Sequence, residues 1–460
     1  MLYALLRAIS GIALRWFYSR VDIAGLDRVP RSGPVLLAVN HPNALVDAMV
    51  VGWVFPRRIV LTAKATLFGN PLAAWFFRAV GVVPLVRAKD VAALGSAADG
   101  KRNARAFALL HHALASGRAV LIFPEGITGD HTSLAPLKTG VARIALQARE
   151  AGLRGLAIVP VGLTFERKDL PRTRIFVEVG EPLSVDALPA DADPADITEE
   201  IARRLRGVTL NFATAGDALR VTGLAGTLAR LFRGSARVPA VSDAHAPLGD
   251  QVSITRRVEL GLDAMRADPE KARRADALLA RLGRFEQELS RHAVDMEDVE
   301  ISLDMTAGAR FTAREIAFVL LAAPVALWGR INHWLPFHLA RTIARRSVES
   351  AADPAMRTIV AGTALVLLFY LAQGAIVWAL FGPWVAAAYI VSLPLAAEIN
   401  FVFRERLSRA LRRARAFLRF RRAPELQARL VRELRELRAE TLALREVLAR
   451  EGPTPSFRTK

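Results

Sequence analysis

The sequence contains no cysteine among its 460 residues. Disulfide bonds, thiolate nucleophiles and cysteine-based zinc sites are therefore excluded, and this absence is compatible with any compartment. The chain also has no glycine-rich phosphate loop and no metal-binding motif. His111 and His112, for example, lie in a predicted helix without a metal-like partner four residues further on. We therefore expect no resident cofactor or metal.

Negative charge is scarce relative to positive charge. The chain has 44 Asp and Glu against 63 Lys and Arg, which gives a net charge of +19, and it is 52% hydrophobic. A chain that is both apolar and basic favours nucleic acid, an anionic membrane surface or an acidic substrate as partner. No nucleic-acid motif is present and the positive charge lies beside the apolar runs, so we expect membrane lipids and no nucleic acid. The length predicts two or three structural units.

The first twenty residues also lack a signal-peptide cleavage site. Arg7 and Arg15 interrupt the apolar start, and no small-residue site precedes a polar region, so no cleaved leader is expected. Apolar residues recur there at helical spacing, which predicts an amphipathic helix over residues 1–20. Two interpretations remain open for this helix: it lies in the membrane interface, or it packs on the first domain.

Long apolar runs are confined to the last third of the chain. Residues 359–381 carry no charge, and 23 residues at about 1.5 Å each cross a hydrocarbon core of about 30 Å. The Gly-Pro pair that follows would end this helix, and residues 384–403 can return. We predict a membrane hairpin, with a buried soluble hairpin as the alternative. Residues 315–328 are shorter and precede polar residues, which favours an interfacial or re-entrant segment within a membrane-associated region over 311–403.

The tail, residues 404–460, is basic and then heptad-like. Lys and Arg beside a membrane span usually lie in the cytoplasm, so both ends of the hairpin are expected there. Leucines beyond Pro424 alternate spacings of three and four. This stretch could form a homo-oligomer, fold back on its own chain, or remain a solvated amphipathic helix. Residues 216–310 are predicted to be helical and carry no motif with a recognisable role.

Residues 33–180 alternate short apolar runs with helical stretches. The predicted strands are 34–40, 57–64, 81–86, 119–124, 156–163 and 174–180, and the predicted helices are 42–55, 68–79, 101–116 and 135–150. Apolar runs without polar alternation are typical of strands buried on both faces. We therefore predict an α/β fold, a mostly parallel sheet flanked by helices. His41 and Glu125 each follow a strand directly, where ligands bind in such sheets.

Four short blocks combine residues that could carry chemistry. They are NHPNALVD (40–47), GVVPLVR (81–87), FPEGITGD (123–130) and IVPVGL (158–163). A histidine after a strand is more often a cap than a base, and each block alone is a weak signal. A neutral imidazole can nevertheless take the proton of an alcohol, and a carboxylate on its other nitrogen can orient it. His41 and Asp47 supply these two groups.

In this order and at these separations the blocks resemble the glycerolipid acyltransferase superfamily, over residues 20–215. This superfamily includes glycerol-3-phosphate and lysophosphatidic acid acyltransferases. The resemblance implies a catalytic α/β domain over 21–215 that lies on a membrane. It also implies transfer of a fatty acyl group from acyl-CoA, or acyl carrier protein, to a hydroxyl of glycerol-3-phosphate or 1-acylglycerol-3-phosphate. The expected place is phospholipid biosynthesis on the cytoplasmic face of a bacterial-type inner membrane.

The resemblance also assigns site residues. His41 is the expected general base and Asp47 its orienting carboxylate, which makes these two the catalytic residues. The expected substrate-binding residues are Arg87, Glu125, Gly126, Lys64, Lys138 and Thr128. A guanidinium such as that of Arg87 can bind two phosphate oxygens at once. Glu125 is expected to accept a hydrogen bond from glycerol.

Two departures from the common pattern bear on the acceptor. Most of the superfamily places Asp five residues after His, where this chain has Val46, and Asp47 lies one residue further. A longer spacing resembles the fungal-type glycerol-3-phosphate acyltransferases, which Thr128 and Asp130 also match. The common form carries Arg soon after FPEG, where Thr128 stands here. Another lysolipid or an amino-lipid acceptor therefore remains an alternative. A non-catalytic membrane scaffold is a further alternative, against which the intact site residues argue.

Overall fold

The computed structural model describes residues 2–86, 96–129, 131–168, 170–232, 247–266, 268–346 and 354–451. Arg87, the predicted phosphate-binding residue, and Asp130 lie outside these ranges. The chain divides into two compact units. The first unit is Met1–Ala215 with Leu339–Leu365, and the second unit is Gly216–His338 with Val366–Lys460.

The first unit is built on a mostly parallel sheet, as the apolar runs predict. Its described strands are β1 (Arg20–Ala24), β2 (Val35–Val39), β3 (Ile59–Lys64), β4 (Val83–Leu85), β5 (Ala119–Ile122), β6 (Ala157–Phe165), β7 (Arg174–Val179) and β8 (Leu183–Ser184). The strand order is β1-β7-β6-β2-β5-β3-β4, with β8 beside β6. The described pairs are parallel, apart from those that β6 makes with β7 and β8. The predicted fold class is confirmed.

Helices cover both faces of this sheet. They are α1 (Leu2–Phe17), α2 (Ala44–Val54), α3 (Pro71–Val80), α4 (Ser96–Ala115), α5 (Gly140–Glu150) and α6 (Pro194–Val208). In β2, Leu37 belongs to the core that α1 and α2 complete, whereas Leu36 belongs to the core on the side of α4, α5 and α6. Both residues are fully buried. This explains the apolar run in β2 without polar alternation.

The N-terminal helix α1 packs on the first unit. Ala13, Leu14 and Phe17 are buried in the core that α1 shares with α2, whereas Leu5 and Ile12 on its other side are exposed. Of the two interpretations of this helix, packing on the first domain is the one that the structure shows. The exposed apolar residues leave its outer side available to a membrane interface.

The remaining described helices are α7 (Ala215–Phe232), α8 (Leu248–Arg266), α9 (Pro269–Arg291), α10 (Met305–Arg346), α11 (Pro354–Phe381), α12 (Pro383–Arg422) and α13 (Pro424–Glu451). Among the described residues, three segments are long and apolar enough to cross a membrane: Met305–Ile343, Ala361–Phe381 and Pro383–Arg422. Between the second and third, Gly382 adopts a φ of 84°. This left-handed conformation favours glycine and ends α11 before α12 begins.

Helix α10 differs from the prediction of a short interfacial or re-entrant segment. It continues through the polar residues that follow Trp328, because neighbouring helices bond them. The ring of His333 lies 2.8 Å from the carbonyl oxygen of Gly329 and 2.6 Å from the hydroxyl of Tyr370. Asn332 accepts a hydrogen bond from a tyrosine of α12 at 2.7 Å. Polar residues paired in this way are compatible with a membrane helix.

The leucines of the C-terminal heptad stretch fold back on their own chain. Leu430, Leu434 and Leu437 are fully buried in a core with residues of α9 such as Phe285. Arg281 of α9 adds an ion pair with a glutamate of α13 at 2.6 Å. These buried leucines therefore form no free face for a homo-oligomer.

Candidate active site

The candidate site lies where two neighbouring parallel strands end. In β2 and β5, Ala38 is paired with Ile122, so the segments that follow both strands emerge at the same edge of the sheet. His41 and Glu125 are therefore neighbours although 84 residues separate them. The side chain of Asn40 holds this turn to β6: its amide donates to the carbonyl of Leu163 at 3.1 Å and accepts from the N–H of Leu163 at 2.7 Å.

His41 and Asp47 form a hydrogen-bonded pair. Nδ1 of His41 lies 2.9 Å from Oδ2 of Asp47, which is fully buried in the first turn of α2. The same carboxylate oxygen accepts the N–H of Asn43 at 2.7 Å. In the intervening turn Ala44 has a φ of 47°, a strained value for a residue other than glycine. The spacing of six residues thus brings the predicted base and its orienting carboxylate into contact.

The surroundings of this pair define the chemistry it can perform. When Nδ1 donates its hydrogen to Asp47, Nε2 of His41 keeps its lone pair and can accept a proton. Burial raises the pKa of Asp47, and the hydrogen bonds from His41 and from the Asn43 N–H oppose that shift. The imidazole also stacks on Phe123, with 3.7 Å between ring centroids and 14° between planes. Its orientation is therefore fixed by a carboxylate at one edge and an aromatic ring on one face.

Glu125 holds two loops of the site together. Its Oε1 accepts the backbone N–H of His41 at 2.8 Å, and its Oε2 accepts the backbone N–H of Ala135 at 3.1 Å. The residue is 6% exposed. The sequence analysis expects Glu125 to accept a hydrogen bond from glycerol. In the structure its two carboxylate oxygens bond the backbone of two loops, one of them the catalytic turn, and the contact with glycerol remains a prediction.

The other predicted site residues are more scattered. Gly126 has a φ of 66° and follows Glu125 in a turn that the N–H of Lys138 closes on Pro124 at 2.8 Å. Thr128 is half-buried in the same loop, and Lys64 ends β3. Among the described residues, the lining of the pocket at His41 does not include Lys64, Lys138 or Thr128.

A network behind the catalytic turn was not predicted. Asn43 is fully buried and donates from Nδ2 to the hydroxyl of Tyr18 at 3.1 Å. Lys168 donates from Nζ to the carbonyl of Pro42 at 3.2 Å, and its own carbonyl lies 3.4 Å from the Tyr18 hydroxyl. Asn43 stands inside the NHPNALVD block and could have been singled out there. No local pattern marks Tyr18 or Lys168.

An open pocket adjoins the pair. Its lining includes His41, Glu125, Gly129, His131 and Ser133. The arrangement places a potential general base beside a cavity that a polar acceptor can enter.

Comparison with known proteins finds acyltransferases that are similar to this region. The family model described as Acyltransferase matches residues 20–164. The chain is similar to glycerol-3-phosphate O-acyltransferase 2 of Saccharomyces cerevisiae, with 30% identity over 36% of this chain and 22% of that protein. It is 31% identical to lyso-ornithine lipid O-acyltransferase of Pseudomonas aeruginosa, over 34% of this chain and 55% of the other.

A third relative is covered more fully. The chain is 25% identical to 1-acyl-sn-glycerol-3-phosphate acyltransferase alpha of Mus musculus, over 45% of this chain and 71% of that protein. The chain thus spans about a fifth of the yeast protein and about half of the bacterial one. These three relatives differ in the acceptor that their names give.

Proposed function

We propose that this chain is a membrane-bound O-acyltransferase. The premise is that it belongs to the glycerolipid acyltransferase superfamily, with its acyltransferase domain at residues 20–164. The acyl group would pass from acyl-CoA, or acyl carrier protein, to a hydroxyl of glycerol-3-phosphate or 1-acylglycerol-3-phosphate. The superfamily predicted from the four sequence blocks is confirmed. The observation that carries the proposed activity is the 2.9 Å contact between His41 and Asp47 beside an open pocket.

The geometry supports general-base catalysis. Nε2 of His41 takes the proton of the acceptor hydroxyl as its oxygen attacks the thioester carbonyl. Asp47 holds the ring in the required tautomer and stabilises the imidazolium that forms. When the tetrahedral intermediate collapses, the carbon–sulfur bond breaks and the leaving thiolate takes the proton from His41. The oxygen ester and the free thiol are the products, and the base is regenerated.

The acceptor class has two candidates. The yeast and mouse relatives support a glycerol phosphate acceptor, whereas the P. aeruginosa relative supports an amino-lipid acceptor. Thr128, where the common form has Arg, also leaves room for an acceptor other than a phosphate. We place the phosphate acceptor first because the fungal-type spacing of His41 and Asp47 and the match to the yeast enzyme agree.

An acceptor screen tests this function. Membranes that contain the chain would be given labelled acyl-CoA with glycerol-3-phosphate, 1-acylglycerol-3-phosphate, lyso-ornithine lipid or a neutral lysolipid. We expect transfer to a phosphorylated acceptor, and roughly a 10²–10⁴-fold loss of kcat in His41→Ala, because a positioned general base contributes that much. His112→Ala, at an exposed histidine of α4, is the matched control. Equal transfer by His41→Ala and the unchanged chain would contradict the mechanism and favour the scaffold alternative.

We also propose the orientation in the membrane. Arginines are dense in residues 404–422, directly after the last apolar segment, and such residues usually remain in the cytoplasm. The proposed location is therefore a bacterial-type inner membrane, with the catalytic domain on the cytoplasmic face.

A further inference from the structure

The lining of the pocket beside the catalytic pair includes a second histidine, His131. We propose that His131 binds the phosphate of a phosphomonoester acceptor, with the hydroxyl of Ser133 beside it. This inference rests on the proposed acyl transfer and specifies the headgroup that the pocket selects. His131 and Ser133 line the same pocket as His41 and Glu125. A headgroup bound by His131 would therefore lie within the cavity that the general base borders.

The pocket segment that contains His131 is held in place by hydrogen bonds within the first unit. The N–H of Phe212 donates to the carbonyl of Thr132 at 2.8 Å, and the hydroxyl of Thr132 donates back to the carbonyl of Phe212 at 3.2 Å. The N–H of Leu134 donates to the side chain of Asn211 at 2.8 Å. These bonds pin the residues on both sides of Ser133 to the segment after α6. This segment is thus a preorganised part of the pocket.

Gly129 provides the space for the ring of His131. A β-carbon built at Gly129 would lie 2.4 Å from Nε2 and 2.8 Å from Cδ2 of His131, closer than real contacts allow. The backbone of Gly129 is not in the left-handed region, so its conformation does not require glycine. The absence of a side chain at Gly129 therefore leaves the space that the imidazole of His131 occupies. An alanine at this position would displace the ring, which is the free end of a side chain, without strain in the backbone.

Charge favours His131 for this role. In the part of the chain that the structure describes, the ionisable side chains that line the pocket are those of His41, Glu125 and His131. His41 must stay neutral to act as a base. Both oxygens of Glu125 already accept backbone N–H groups. The imidazole of His131 can donate a hydrogen bond to a phosphate oxygen, and hydrogen bonds to an ionised acceptor are the stronger class.

Two variants and one control test the proposal. In His131→Gln we expect KM for glycerol-3-phosphate and 1-acylglycerol-3-phosphate to rise roughly tenfold, the equivalent of one lost charge-assisted bond. KM for acyl-CoA and KM for a monoacylglycerol, which has no phosphate, should not change, and kcat should stay within about twofold. Gly129→Ala should reproduce this pattern because it moves the ring. His112→Gln, at an exposed histidine, should have no effect.

Equilibrium binding separates this proposal from the proposed function. Titration of the purified full chain in detergent with glycerol-3-phosphate needs no turnover, and His131→Gln should weaken binding by the same factor. His131→Lys, which supplies a positive charge, should bind more tightly than His131→Gln. Unchanged KM and unchanged binding in His131→Gln would overturn the proposal even if acyl transfer is observed. Failure of the chain to acylate any acceptor would overturn the proposed function, and the titration would still decide whether His131 binds phosphate.

Discussion

At the residue scale, Glu125 links the catalytic turn to the loop that contains Ala135. Its two carboxylate oxygens accept N–H groups from His41 and Ala135. We predict that Glu125→Gln lowers the stability of the chain by about 1–3 kcal/mol, because the amide can accept only through one oxygen and leaves a buried N–H unpaired. We also expect kcat to fall, because the backbone of His41 loses an anchor. Thermal unfolding and kinetics of the same preparation measure both effects.

The control for this prediction is Glu150→Gln, at an exposed glutamate of α5. This variant should match the unchanged chain in melting temperature and in kcat. One outcome for Glu125→Gln would support the role that the sequence predicts, a hydrogen bond with glycerol. If Glu125→Gln raised KM for the acceptor and left melting temperature and kcat unchanged, Glu125 would contact glycerol and would not position the turn.

The site could be predicted only where chemistry and strand ends coincide in the sequence. His41 and Glu125 follow strands of one sheet, and their contact therefore follows from the parallel pairing of β2 and β5. The contact of His41 with Asp47 depends on the turn at Ala44, whose φ no residue pattern indicates. Tyr18 contacts Asn43 only through tertiary packing, so no local sequence pattern predicts its place beside the site.

At the element scale, the short helical turn Met296–Asp298 carries a buried carboxyl. Burial raises the pKa of Asp298 to about 6 from its ordinary value of 3.8, and Arg413 nearby opposes the shift. The folded chain therefore binds the proton more readily than the unfolded chain. The stability that protonated Asp298 contributes is fully present below about pH 4 and is lost as pH rises through about 6.

Asp298→Asn should remove this pH dependence. We expect the variant to melt a few degrees above the unchanged chain at pH 8 and at about the same temperature at pH 4. Thermal unfolding in detergent across this pH range provides the measurement. Asp276→Asn, at an exposed position of α9, should show no such difference. A variant that melts lower than the unchanged chain at pH 8 would show that the charged carboxylate stabilises this turn.

The elements were predictable where the apolar pattern is long. The six predicted strands of the sheet are present, because each is an apolar run that pairs with its neighbours in the first unit. Strand β1 was not predicted, since its five residues mix charged and apolar side chains and it depends on pairing with the distant β7. Helix α10 is longer than the interfacial or re-entrant segment that was expected, because partners on other helices bond its polar residues.

At the scale of the whole molecule, the apolar helices predict an integral membrane protein. Three described segments are long and apolar enough to cross a bilayer, and removal of such a segment from hydrocarbon is unfavourable. We expect the chain to stay in the membrane pellet after extraction with alkaline carbonate, and to be released only by detergent. Its appearance in the carbonate supernatant would contradict this account and favour the buried soluble hairpin.

The whole account depends on His41 and Asp47 acting as one catalytic unit. The most direct measurement compares kcat for acyl transfer in His41→Ala, Asp47→Ala and the variant with both substitutions. We predict that the double variant loses about as much activity as His41→Ala alone, because a carboxylate that acts through an imidazole has nothing to orient once the imidazole is removed. If the two losses were instead multiplicative, Asp47 would act independently of His41, and the 2.9 Å contact would not be the catalytic arrangement.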